Sequence, residues 1–244
     1  MKKIFVKLQY SIVIAIFTVL IGVALAFTTE NPRYDLILSS GNLLVKAFFS
    51  TIVLSIISLI GALILGFVLW VMTRSKIVIL NAISNVFSEI IMGTPQLVMI
   101  FLIVYPLGSF LDFKSKLILG VISMILYNAP YIANAYEATA SVVDINQYVV
   151  MDLYHFKWYQ KYKYIIIPQM IKPFIPSLVN QLSSVIKASS LLNIIAINEI
   201  TYITTTVATK SYAIIEGYYV MWIMYLIVTI PLSLIAKYIA RKLG

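Results

Sequence analysis

Long apolar runs separated by short polar breaks organise this chain. A bilayer core of ~30 Å needs about 20 apolar residues of helix. On that ruler the runs predict membrane spans near 10–27, 48–72, 95–111, 117–138, 174–197 and 218–236. The stretch IVILNAISNVFSEIIM, residues 77–92, is different. Its Asn81, Ser84, Asn85, Ser88 and Glu89 recur at helical spacing opposite Ile, Val and Phe, which predicts a helix lying at the membrane surface. It runs into Gly93-Thr94-Pro95. There Gly suits a left-handed helix stop, Thr a cap for the next helix, and Pro its first turn. A sharp corner is expected; the alternative is one kinked helix.

Composition agrees with lipid as the solvent. The 244 residues are 61% hydrophobic and only 11% charged, against about half and a quarter in soluble domains. The fold class that follows is all-α: a polytopic integral membrane bundle of about six transmembrane helices. The formal charge of +9 therefore points to cytoplasmic loops rather than to nucleic acid. With the N-terminus inside, MKKIFVK, Arg74, Lys76, Lys157, Lys161, Lys163, Lys172 and the tail Lys237, Arg241, Lys242 are cytoplasmic. Arg33, Lys46, Lys114, Lys116 and Lys210 fall outside, and Lys187 lies within a span. The bias supports a chain with both termini cytoplasmic. The first run ends in Ala24-Leu25-Ala26, so a cleaved leader fits it; its length and the five spans beyond favour an uncleaved helix. The chain has no cysteine, one histidine and no HExxH or GxxxxGK[ST] run, which leaves no thiolate, metal-hydrolase or phosphate-loop chemistry to propose. No catalytic residue and no metal site is expected.

One stretch breaks the apolar pattern between two spans. QYVVMDLYHFKWYQKYKYIIIPQ, residues 147–169, carries Asp152, His155, Lys157, Lys161, Lys163 and Trp158. Its length suits two short helices with a bend, after which Pro168 breaks the pattern. Pro173 and Pro176 fit the first turn of the following span. Such a cationic, aromatic element would rest on anionic lipid or plug into a groove on a cytoplasmic protein, and the residues alone leave both readings open. Asp152 and His155 stand three apart but lack the further ligands that a metal or acid–base site needs.

Polar side chains inside spans are costly and usually face a cavity or another helix. In the fifth span Asn180, Ser184, Lys187 and Leu191 share a face; in the fourth, Ser123, Tyr127, Tyr131 and Asn134 do, with Glu137 a turn beyond. At 1.5 Å per residue in antiparallel spans, Asn134 matches Asn180 in depth and Asn128 matches Ser184. The candidate path residues are Asn128, Asn134, Glu137, Asn180, Ser184 and Lys187. Bonding between packed helices is the competing role for the amides and hydroxyls, whereas a buried ammonium at Lys187 needs a carboxylate, a carbonyl or water.

Several short motifs carry a resemblance. Met92-Gly93-Thr94-Pro95-Gln96-Leu97-Val98-Met99-Ile100-Phe101-Leu102 is followed by Asn146-Gln147 and then by Ile165-Ile166-Ile167-Pro168-Gln169, with 21 residues from Gln147 to Pro168. TIVLS at 51–55, Tyr131-Ile132-Ala133, PSLVN at 176–180 and Lys187-Ala188-Ser189-Ser190-Leu191 complete the set. In this order and spacing the chain resembles the membrane-spanning permease subunits of ATP-binding-cassette importers, in particular the polar amino-acid uptake branch (histidine, glutamine and arginine types). The resemblance covers about 43–242. It implies a permease core of five spans with a cytoplasmic coupling segment at 141–169, and leaves 1–42 as an extra N-terminal helix and outer loop. It further implies an inner-membrane location, partner ATPase subunits that use the ATP, a second permease subunit (identical or homologous), and an extracytoplasmic solute-binding protein. No cofactor is expected in this chain.

The resemblance makes Gln147, Val149, Val150, Met151, His155, Phe156, Trp158 and Pro168 the ATPase-coupling residues. Val149-Val150-Met151 stand where the family has Glu-Ala-Ala, His155 where it has a bend glycine, and Asn146 where it has a second glycine. Asn and His are among the residues that best accept positive φ, so bends are expected at both. Asn134 replaces the family's acid after Tyr-x-Ala, and Glu137 its following Arg. The rival functions are an autonomous channel or ion-coupled carrier with Lys187, Glu137 and Asn134 as its relay, and a degenerate permease half in a heterodimer.

Overall fold

Apolar helices that span a bilayer satisfy their own backbones, so side chains decide how they stop and how closely they pack. The structure, a computed structural model, describes residues 32–243 together with Ile16, Val19, Gly22 and Val23. The span expected at 10–27, and with it the question of cleavage, otherwise lies outside the described residues.

The elements are α1 (Tyr34–Leu38), α2 (Gly41–Thr73), α3 (Val78–Gly93), α4 (Gln96–Phe110), α5 (Lys116–Ala140), α6 (Ile145–Leu153), α7 (Trp158–Ile195), α8 (Ile200–Lys210) and α9 (Ile214–Leu243). No strand occurs among the described residues. Helices α2, α5 and α9 are each long and apolar enough to cross a membrane; α3 with α4, and α7 with α8, qualify as bent pairs. The protein is an all-α, polytopic membrane bundle.

Helices α2 and α5 run parallel and form the centre. Gly61 and Gly66 make this possible, since a Cβ at Gly66 would lie 2.7 Å from the Ala129 carbonyl oxygen. Small residues let helix backbones approach where lipid supplies no hydrophobic drive. Helix α7 packs antiparallel on α5, with Tyr136 stacked on Phe174 at 4.6 Å. At the other end of the bundle, Ile37 of α1 is buried with Leu44, Val207, Ala208 and Ala213, and Glu216 accepts a bond from the Arg33 backbone N–H at 2.9 Å.

The Gly-Thr-Pro corner exists, with a bend of 108° between α3 and α4, but its chemistry differs from the expectation. No glycine among the described residues has positive φ, and Gly93 is the last residue of α3. Thr94 is extended, as the residue before a proline is driven to be, and its hydroxyl closes the preceding helix by donating to the Ile90 carbonyl at 2.7 Å. Proline, acting on Thr94, makes the corner.

Two further expectations change. Pro173 and Pro176 lie inside α7 rather than in its first turn, while Pro168 sits at the start of its α-helical part, Ile167–Ala188. The turn before Pro168, Lys161–Ile166, is widened to π geometry, and such local adjustment is how helices absorb proline. The chain between the expected spans 174–197 and 218–236 is not a plain loop, because α8 occupies Ile200–Lys210.

Four non-glycine residues stop helices in the left-handed region: Asp112, His155, Ala196 and Tyr212. At His155 the Phe156 N–H reaches the Met151 carbonyl at 2.9 Å and the His155 N–H reaches Asp152 at 3.0 Å, the paired bonds of a Schellman stop. The bend expected at His155 is present. None occurs at Asn146, which is helical; Asp144 begins α6 instead, its side chain accepting from the Asn146 N–H at 2.8 Å. A short acid at the N-cap removes the need for a left-handed residue there.

Candidate functional site

Helix α6 is a knob at the end of the bundle where α2 and α5 finish. Its apolar residues divide between two faces. Met151 is buried with Trp70, Val143, Ile166 and Met170, so it anchors the knob and is not available to a partner, contrary to its expected role as a contact residue. Ile145, Val149 and Leu153 recur at four-residue spacing on one face and are exposed, Leu153 to 72%. Val150 and Tyr154 beside them are exposed too.

Gln147 is likewise an anchor. It accepts from the Gln169 amide at 2.8 Å and donates back at 3.4 Å, while Gln169 also holds the Ile165 carbonyl at 3.0 Å. This mutual amide bond explains the spacing between Gln147 and Pro168-Gln169, because it pins α6 to the base of α7. Asp152 pairs with Lys161 on the same helix pair, and the pairing of Asp152 with His155 is not formed. Phe156 is partly exposed after the stop. Trp158 is exposed and lines a cavity on the flank.

Beside the knob, Glu137 at the end of α5 takes a bidentate contact from Arg74, at 2.8 and 2.9 Å, and the Trp70 indole N–H at 2.9 Å. The Glu137 carboxylate pushes the Arg74 guanidinium above its ordinary range, against a burial that lowers it, with help from Tyr148 and Tyr162. Arg74 also lies over the Trp70 ring. These contacts tie α2 to α5 at the end that carries α6.

The intramembrane candidates separate. Asn128 is buried, donates to the Met124 carbonyl at 2.7 Å and accepts from Gln181 at 3.3 Å. It serves to join α5 and α7, through a Gln181 that sequence reasoning missed. The two helices are offset by about one turn from the depth matching expected, which puts Gln181 and not Ser184 beside Asn128. Asn134 is exposed, with its amide 3.8 Å from the Met92 sulfur. Asn180, Ser184 and Lys187 are all exposed on one face of α7, and Lys187 has no ion pair among the described residues. With Tyr136 opposite Phe174, Lys187 falls near the level of Ser123, fourteen residues or ~21 Å along α5 from Glu137. The structure does not bring Lys187, Glu137 and Asn134 together as a relay.

Glu199 was not singled out by sequence, although an acid directly before a short helical stretch is an N-cap signal. It is fully buried between α7 and α8. Its carboxylate accepts the Thr201 and Tyr202 N–H groups at 2.9 and 2.6 Å and the Tyr225 hydroxyl at 3.1 Å. The next N–H, of Ile200, reaches Thr51 of α2 at 3.0 Å. Glu199→Ala should remove a cap, while the Tyr225 hydroxyl keeps its 2.9 Å bond to Thr201, a loss of about 1–2 kcal/mol. A melting curve of the purified chain checks this, and Glu199→Gln, which keeps an acceptor oxygen, should lose less.

Comparison with known proteins agrees with this architecture. Residues 62–244 match the family described as binding-protein-dependent transport system inner membrane component. The chain is 30% identical over 200 residues to the probable glutamine ABC transporter permease protein GlnM of Bacillus subtilis (strain 168), covering 80% of this chain and 91% of that one. It is 28% identical to the probable amino-acid permease protein YxeN of the same organism, covering 86% and 96%, and 24% identical to the nopaline transport system permease protein NocM of Agrobacterium fabrum, covering 82% and 87%. Among solved structures it superimposes on a chain of an amino acid ABC transporter with a TM-score of 0.81 at 22% identity, covering 87% of this chain and all of that one. A chain of the inward-facing MetNI methionine transporter gives 0.69 at 14% identity, covering 83% and 96%. The fold, the ordered motifs and the matched length lead to one assignment: this chain belongs to the inner membrane components of binding-protein-dependent transport systems, as a membrane-spanning permease subunit of an ATP-driven importer rather than an enzyme.

Proposed function

We propose that this chain forms half of the path of an importer for polar amino acids in the cytoplasmic membrane. In this reading α6 receives the stroke of a partner ATPase. One observation carries it: an exposed apolar stripe, Ile145, Val149 and Leu153, stands on a helix whose other side is locked into the core by Met151 and the Gln147–Gln169 amide pair. A rigid knob with an unpartnered apolar face suits a groove on a cytosolic protein. In this reading ATP is used by that partner.

The exposed face of Asn180, Ser184 and Lys187 supports a second permease subunit. Lipid is a poor neighbour for an amide and an ammonium, so facing copies would enclose them around water and solute. The names of the relatives and the affinity of an ammonium for an α-carboxylate favour amino acids, delivered from outside by a solute-binding protein.

A photocrosslinker at Leu153 in the purified complex should capture an ATP-hydrolysing subunit, whereas one at Leu117, on the opposite end of the bundle, should not. Capture from both positions, or from neither, defeats the reading. Orientation is tested separately, since the chain has no native cysteine. Ser39→Cys, Ser109→Cys and Thr209→Cys should react with an impermeant reagent in intact cells, and Lys157→Cys only after permeabilisation.

A further inference from the structure

The flank between the end of α2 and the base of α7 holds a cavity of about 590 Å³, half open to the surroundings. Its rim carries Arg74, Ser75, Lys163, Trp158, Tyr159 and Tyr162; deeper in, Phe67, Val71 and Ile167 line it. A smaller void of about 170 Å³ shares Phe67, Trp70 and Ile167 and extends to Ile171 and Phe174. The two adjoin at these shared residues, polar and aromatic on the side of Arg74 and Lys163 and apolar on the side of Ile171 and Phe174.

The depth of the two together matches a lipid monolayer. At 33 residues, α2 is ~50 Å long and overshoots a hydrocarbon core of ~30 Å, which places Arg74, beyond its end, in the headgroup layer. Phe67 lies seven residues, ~10 Å, further in, at acyl level. On α7 the same order recurs, from Trp158 and Tyr159 through Tyr162 to Ile167 and Ile171. Tryptophan and tyrosine concentrate at membrane interfaces, and basic pockets between spans on the cytoplasmic side bind anionic headgroups.

Charge selects the occupant. The Arg74 charge is balanced by Glu137, and Lys161 nearby is engaged by Asp152. Lys163 has no carboxylate partner among the described residues and rests against the Tyr164 ring. We infer that this cavity binds one anionic phospholipid, its phosphate at Lys163 and the Ser75 hydroxyl and an acyl chain along Phe67, Ile167 and Ile171. Proximity to Trp70 and the Arg74–Glu137 pair would couple the bound lipid to the end of the bundle that carries the knob.

The absence of cysteine permits a direct test. Val71→Cys, labelled with bimane in the purified full-length chain, reports on the cavity once reconstituted into vesicles of phosphatidylcholine with brominated phosphatidylglycerol. Brominated phosphatidylglycerol should quench at least threefold more than brominated phosphatidylcholine at equal mole fraction. Lys163→Gln should abolish the preference, Lys163→Arg should restore it, and Lys172→Gln, a cation outside the cavity, should leave it unchanged. Equal quenching by the two lipids overturns the proposal, as does equal loss in the Lys163 and Lys172 variants. Relief of quenching by millimolar inorganic phosphate would assign the site to a soluble anion and overturn the lipid reading. Relief on adding the ATPase subunit would make the cavity part of the docking surface, with the same consequence.

Discussion

Lys187→Met should leave insertion and assembly intact while lowering uptake roughly 10- to 100-fold. The magnitude follows from one charge-assisted hydrogen bond, worth about 1.5–3 kcal/mol, removed from the transport step at about 1.4 kcal/mol per tenfold in rate. The structural ground is the position of the ammonium. Lys187 is exposed on α7 next to Ser184, two turns beyond Asn180, with no ion pair among the described residues. An unpartnered charge facing lipid would cost about 2.5–3.5 kcal/mol even on the lenient insertion scale. Water or a carboxylate in the path relieves that cost, so the neutral variant should insert at least as well as the wild type. Uptake of a radiolabelled polar amino acid into proteoliposomes, normalised to assembled complex, decides the matter. Wild-type uptake would remove Lys187 from the path; a parallel loss of assembly would make it an inter-helix contact.

The second large effect is expected at His155. Its φ of 53° is a conformation that costs an ordinary L-residue roughly 1–2 kcal/mol and glycine almost nothing. His155→Gly should therefore transport normally. A β-branched side chain is a genuine outlier there, so His155→Val should unwind the stop, break the Phe156-to-Met151 bond and shift α6 relative to α7. Hydrolysis by the ATPase should continue while uptake falls severalfold or more. The ratio of ATP consumed to solute moved, measured for both variants in the reconstituted complex, is the readout. An unchanged ratio in His155→Val would mean that the turn transmits nothing.

Much of this architecture was legible from the chain because a bilayer constrains it so tightly. The apolar runs from residue 48 onward correspond to α2, α4, α5, α7 and α9, although α7 begins at Trp158, inside the polar stretch. The corner at 93–95 and the stop at His155 were visible because proline and left-handed turns act within a few residues. At Met151 the reading failed because the deciding partners were remote in sequence. Met151 looked like a contact residue beside Val149 and Val150, yet the helical turn aims it at Trp70 and Ile166. The glycine in Gly-Thr-Pro looked like the helix breaker, yet Pro95 already does that to Thr94.

By itself, then, the sequence determined the class, the apolar runs from residue 48 onward and the location of the polar knob between two of them. Each follows from composition and from interactions within a few residues. Only the tertiary structure decided that Gln147 and Gln169 clasp each other, that Asn128 meets Gln181 rather than Ser184, and that the Glu199 carboxylate also takes the Tyr225 hydroxyl in the interior. Those outcomes depend on the axial offset between helices. Close packing at Gly61 and Gly66 sets the offset between α2 and α5, and the stacking of Tyr136 on Phe174 that between α5 and α7; a shift of one turn, ~5.4 Å, would exchange the polar partners across it.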